Sequence, residues 1–229
     1  MSRNYPPITT HERYLSALEG RDPLESMRKA PKRLRKLLKG LSRKRLERRP
    51  GEGQWSIKEV LAHLADGEVV LGARIRMVAA MARPIIVGYD QDALVAGLAY
   101  DKVDAEELLA NFAAVRAINV ALLERLPDEA FARVGLHNER GEESLATMVF
   151  MYAGHDRLHE QQIERSSAAG GRRERKAKDA TIAPATPASS TAVETGASER
   201  AGKSARKQRK QAKNGKHGKR KSRALANVS

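Results

Sequence analysis

Between Asp22 and Arg165 the apolar residues recur at three- and four-residue spacing in four separate stretches, each opening on a helix-start signal. Asp22 with Pro23 and Glu25 reads as N-cap, first and third positions of a helix running toward Gly40. Leu24, Met27, Leu34, Leu37, Leu38 and Leu41 supply its stripe, and Pro31 is expected to kink or restart it. Ser56-Ile57-Lys58-Glu59 is a capping box with Trp55 just outside it; Val60, Leu61, Leu64, Leu71, Ile75 and Val78 carry this second helix to about Met81. A third opens at Asp104, has Glu107 three residues on, and passes Leu108, Phe112, Val115, Ile118 and Leu122 before Pro127. The fourth starts near Ser144 and runs through Leu145, Met148, Tyr152, His155 and His159 to about Arg165. The connection from Gly88 to Lys102 has room for a short helix around residues 92–99. Four such rods side by side predict an all-α, up-down four-helix bundle with any site built in its core.

Composition agrees. Aromatic residues make up only 4% of the chain, so the core must be built from Leu, Val, Ile, Ala and Met, which suits helices better than a β-sandwich. With no cysteine, disulfides, thiolate ligands and a cysteine nucleophile are excluded. The opening residues lack a signal-peptide stretch and nothing later approaches a membrane span, so the expectation is a cytoplasmic protein without membrane contact.

The pattern predicts three parts: an N-terminal extension (1–21), the bundle (22–166) and a Lys/Arg-rich tail (167–229). The tail opens on Ala-Ala-Gly-Gly, continues in Thr, Ala, Pro and Ser, and has too little apolar surface to offset its ordering entropy, so disorder is expected. From Gly171 onward seventeen Lys and Arg face four Asp and Glu, so the tail holds most of the net charge of +15. Nonspecific, salt-sensitive contact with nucleic acid or another polyanion is one expectation for it, a solubilising extension the other. The tail offers no aromatic residue to stack on bases. The first helix and its sequel are also basic, from Arg28 to Arg49, where a solvated charged face is the simpler reading.

Three of the six histidines carry the chemistry. His155 and His159 lie four apart, on one face of a helix, where both rings can reach a single ion. His63 is in line with Val60 and Val70, which turns it toward the interior. An imidazole on an apolar stripe is costly unless its nitrogens are satisfied, and one ion can satisfy three rings, leaving a fourth position open. Spacing alone leaves hydrogen-bonded core histidines as the alternative. The helical His155-Asp156-x-x-His159 also resembles a zinc-protease motif, but that motif takes a third ligand downstream, where only the tail follows. Asp66, one turn beyond His63, and Asp156, beside His155, are candidates to orient a ring or accept a proton. Tyr152 and Gln162 flank the pair, and Asp90, Gln91 and Asp92 either cover the pocket or cap the short helix.

Residues 54–66, 88–92 and 155–163, above all the Trp55-Ser56 opening with His63-Leu64 and the closing pair of histidines, resemble the DinB-like superfamily. The resemblance covers about residues 22–165. It implies a four-helix bundle, often a homodimer, with nickel, zinc or a similar divalent ion on His63, His155 and His159. It also implies a small-molecule substrate and either transfer to a low-molecular-weight thiol, isomerisation or hydrolysis. A bound ion can acidify a water or an incoming thiol, and without cysteine in the chain the thiol would arrive as a cosubstrate.

Overall fold

A computed structural model describes residues 3–182, with side chains to residue 169. Most of the Lys/Arg tail, and the polyanion contact expected of it, fall at residues 183–229, outside the described residues. In chain order the elements are α1 (Glu12–Leu18), α2 (Pro23–Leu38), α3 (Arg43–Glu47), α4 (Ile57–Ala80), β1 (Ile85–Ile86), α5 (Gln91–Gly97), α6 (Ala105–Arg125), β2 (Val134–His137), β3 (Gly141–Ser144) and α7 (Leu145–Ile182). Short 3-10 turns occupy Tyr100–Lys102 and Asp128–Ala132. No helix among the described residues is long and apolar enough to cross a membrane.

Helices α2, α4, α6 and α7 are the four expected rods. The predicted start signals work as chemistry. Asp22 accepts a hydrogen bond from Glu25 N–H at 2.7 Å. At Ser56 both halves of the capping box are made, Glu59 N–H to Ser56 Oγ at 3.2 Å and Ser56 N–H to Glu59 Oε2 at 2.7 Å. Two apolar clusters fill the interior. One gathers Leu24, Met27, Val78, Leu123 and Leu145; the other gathers Leu38, Ile57, Leu108 and Ile163. Thus α2 and α7 run one way while α4 and α6 run the other. Each of α2 and α4 packs on both α6 and α7.

The expected alternation of direction holds at the first and last connections. At the middle one, residues 81–104 carry the chain back along α4 before α6 begins. Contacts mark that return: Leu136 N–H to Pro84 O at one end, then Trp55 Nε1–H to Asp92, Tyr100 O–H to Asp66 and Lys58 Nζ to Asp101 O at the other. The short helix foreseen there is α5, with Asp90 as its cap, accepting from Ala93 N–H at 3.0 Å.

Four features differ from expectation. Residues before Asp22 are not merely an extension, since α1 packs on α7. Gly154 makes room, because a Cβ there would stand 2.3 Å from Tyr14 O. Pro31 sits inside α2 without ending it. The carbonyl it leaves without an i+4 donor, that of Met27, accepts from Arg116 Nη1 at 3.2 Å. Helix α7 does not stop near Arg165 but continues through residues 167–182, which the sequence reading placed in the disordered tail. Extending an existing ladder is easier than nucleating one, and Ala168, Ala169 and the Arg, Glu, Lys and Ala residues that follow favour helix enough to outweigh Gly170 and Gly171. Finally, β1, β2 and β3 form a small sheet, β1 parallel to β2 and β2 antiparallel to β3.

Candidate metal centre

The first turns of α4 and the middle of α7 bring three imidazoles together. His63 Nε2 lies 3.0 Å from His155 Nε2, and His159 Nε2 lies 3.0 Å from the same atom. All three ligand atoms lie within 4.8 Å of one another. His63 is buried and the other two are half-buried.

This convergence has a consequence for hydrogen bonding. A neutral imidazole has one donor and one acceptor nitrogen. A single N–H on His155 Nε2 cannot point at two neighbours, so protein atoms alone leave lone pairs facing one another. On His159 the other nitrogen is committed: Nδ1 stands 2.8 Å from Gln162 Oε1, which can only accept if the ring donates. With Oε1 so oriented, a ring that donates from Nδ1 turns the Nε2 lone pair to the cluster. Nitrogens sharing one ion at about 2.0–2.1 Å stand about 3.3 Å apart in tetrahedral geometry, close to the 3.0 Å of the two contacts to His155 Nε2. The donor set fits a divalent ion such as zinc or nickel, with a coordination position left for another ligand.

Electrostatics keep the rings ligand-competent. Burial, and after it the neighbouring His159, pushes the His63 pKa down to about 3. Burial and the two other histidines hold His155 well below its ordinary range, and burial lowers His159 as well. All three are neutral at neutral pH. Trp55 leans on His63 with ring centroids 4.9 Å apart, and its Nε1–H donates to Asp92 at 3.0 Å. Thus Asp90 caps α5 while Asp92 fixes the indole.

The two candidate carboxylates separate. Asp66 accepts from Tyr100 O–H through Oδ1 at 2.5 Å, while its buried Oδ2 has no protein partner. Burial raises its pKa against the lowering effect of that hydroxyl. Asp156 is not free to orient a ring or take a proton. One residue along a helix is a turn of about 100°, so it stands on the face next to that of His155. Both its oxygens lie on Arg116, at 2.5 and 3.2 Å, and the same guanidinium reaches Glu68 at 2.6 Å. Asn119 Nδ2–H closes the group on Glu68 Oε1 at 2.9 Å.

Sequence reasoning missed Arg116, Glu68 and Arg74, though a signal was present. Each interrupts an apolar stripe: Arg116 stands four residues from both Phe112 and Val120, Glu68 falls between Leu64 and Leu71, and Arg74 between Leu71 and Val78. The same test had singled out His63. Tyr152 is buried, with its hydroxyl 3.2 Å from Arg74 Nη1.

Comparison with known proteins agrees with this architecture. A Bacillus cereus (strain B4264) protein, provisionally named a metal-dependent hydrolase, is 26% identical over 136 residues, 59% of this chain and 78% of its own. A protein of Bacillus thuringiensis subsp. konkukian (strain 97-27), named in the same way, matches to the same extent. Among solved structures, YfiT from Bacillus subtilis, described as having an unusual four-helix bundle topology, superposes with a TM-score of 0.63 at 20% identity. The match covers 74% of this chain and 94% of YfiT. The sequence profile of the DinB superfamily matches residues 26–163, and the chain belongs to that superfamily.

Proposed function

We propose that this protein is a metal-dependent enzyme that transfers a group from a small molecule to water or to a low-molecular-weight thiol, with His63, His155 and His159 as ligands of one divalent ion. The observation that carries this is the meeting of three Nε2 atoms around His155, at two contacts of 3.0 Å, in a surrounding that keeps the rings uncharged. When bound, zinc or nickel would supply Lewis acidity, lowering the pKa of water or of an incoming thiol toward neutrality.

The protein's own residues do the rest. Gln162 fixes the His159 tautomer, and Trp55, tied to Asp92, packs against the His63 ring. Asp66 keeps Oδ2 free to accept a proton, while Tyr100 holds its other oxygen in place. The names of the Bacillus relatives favour hydrolysis. The absence of cysteine requires any thiol to be a second substrate.

The test is elemental analysis of untagged protein purified without chelators, beside His159→Ala. About one equivalent of ion per chain is expected in the parent and none in the variant. An ion retained at full stoichiometry by the variant would remove these ligands from the proposal. Turnover of electrophilic esters or amides, with and without added thiol, then separates the two nucleophiles.

A further inference from the structure

His155 also lines a partly open cavity of about 120 Å3 between α1, α4, α5, α7, the connection after β1 and the β2–β3 turn. On its wall is Arg74, only 4% exposed. Its guanidinium donates to Val87 O at 2.6 Å and to Tyr152 Oη at 3.2 Å, and among the described residues it pairs with no carboxylate. Arg116, the other deeply buried arginine among the described residues, lies between Glu68 and Asp156. Beyond those two bonds Arg74 faces the Tyr89 ring, 5.6 Å from Cζ to the centroid, and a buried guanidinium with no direct ion pair is costly, which favours an anion in the cavity.

The remaining wall limits which anion. Arg140 is already matched, its Nε and Nη2 on the two oxygens of Glu143 at 2.5 and 3.0 Å. Glu139 lines the same cavity and opposes any excess of negative charge. With Glu139 on the same wall, one guanidinium that makes no direct ion pair can hold at most one negative charge, which suits a carboxylate and not a phosphate monoester carrying about −1.5 to −2. Two of the five guanidinium N–H groups are engaged, and the others can take the planar carboxylate group. Burial keeps the Tyr152 and Tyr89 hydroxyls protonated, so Tyr152 can donate its own proton while accepting from Arg74. A dry cavity of about 150 Å3 holds benzene, so this one has room for a small acid or for the acidic end of a longer molecule.

We infer that this cavity binds the carboxylate of a monoanionic substrate, with Arg74 as its counter-ion and Tyr152 as a second donor, placing the substrate's other end beside His155. The last clause rests on the metal-centre reading; the carboxylate site itself does not.

The experiment is ligand-observed NMR of the full chain, chelated and metal-loaded, with propionate, its uncharged isostere propionamide, and inorganic phosphate. Propionate should bind in both states, propionamide should not, and phosphate should not displace it. Arg74→Met should weaken propionate roughly 10- to 100-fold, as loss of a charge-assisted hydrogen-bonded pair does, and Arg74→Lys should recover part of it. Tyr152→Phe keeps the ring and removes the hydroxyl, so it tests the site if Arg74→Met fails to fold. His63→Ala separates the two readings, because loss of metal with propionate binding intact supports the arginine site alone. Propionate bound only in the metal-loaded state, or lost with His63→Ala, would place it on the ion and overturn the inference. Equal binding of propionamide, or preference for phosphate, would overturn it too.

Discussion

Helix α7 presents two polar faces a third of a turn apart, and they solve burial in opposite ways. On one face Asp156 and Glu160 meet opposite charges: Arg116 from α6, and Arg33 from α2 at 2.9 Å. On the adjacent face His155 and His159, at the same four-residue spacing, meet a third uncharged ring. The charges of the acidic face are matched within the protein, since the Asp156 oxygens and both terminal nitrogens of Arg116 have partners, and among the described residues of this face only Nε of Arg116 and of Arg157 go without one. The three rings of the histidine face are chemically of one kind, and among the described residues no carboxylate is hydrogen-bonded to any of them. Burial does not distinguish structure from function here; completeness does.

The largest effect should come from opening the complete face. Arg116→Met leaves Glu68 and Asp156 buried without their cation, and breaking such a pair typically costs about 3–5 kcal/mol. The denaturant midpoint should fall accordingly, by the same amount in metal-loaded and chelated protein. A loss below about 1 kcal/mol would mean that water reaches the carboxylates and that the face is less closed than the geometry indicates.

The histidine face should show the converse, a stability that depends on what is added. With free ion a hundredfold above its Kd, binding to the folded state alone contributes about 2.7 kcal/mol. Thermal unfolding should drop when the metal-loaded parent is chelated and stay put when His63→Ala receives the same treatment. A parent indifferent to chelation would make the two faces equivalent, both merely structural.

A smaller effect sharpens the same contrast through pH. His63 has a folded pKa of about 3 against an ordinary 6.5, so the unfolded chain binds more protons between those values. Its contribution is therefore fully present above pH 6.5 and lost as pH falls toward 3. His155 and His159, lowered in the same direction, add to the slope. Between about pH 6.5 and 5 ordinary carboxylates remain ionised, so apart from Asp66, which burial raises, the window reports the histidines, His137 among them. Chelated protein should lose stability steadily across it, and His63→Leu should flatten the curve. A flat profile in the parent would contradict the buried, neutral cluster.

What the sequence revealed follows the physics of each element. The four rods, the Ser56 box and the histidine pair were legible because period and capping are local properties of neighbouring residues. The sheet was not, because its strands run two to four residues and the inward positions of β2 are Gly135 and His137. A Cβ on Gly135 would meet Ile86 Cδ1 at 2.5 Å, so the residue that makes the packing possible carries no hydrophobic signal. The stripe assigned to α6 was also rotated: Ile118 is exposed, while Arg116 and Asn119 are buried. Charged residues there read as surface until their partners, 40 and 48 positions away, are in place.

The smallest effect asks how far the complete face reaches into the backbone. A proline inside a helix costs about 3 kcal/mol, partly through the hydrogen bond it removes. At Pro31 the carbonyl thus exposed is that of Met27, and Arg116 occupies it. Pro31→Ala restores an N–H to a carbonyl that already has a donor, so the gain should be modest, about 1 kcal/mol. In an Arg116→Met background the same carbonyl has lost that donor, and the gain should be larger. A double-mutant cycle on denaturant midpoints measures the difference. Equal gains in both backgrounds would show that Arg116 serves only the two carboxylates. Unequal gains would show one side chain satisfying an acid pair on two helices and the break in a third, which explains why α2 tolerates a proline where it packs on α6 and α7.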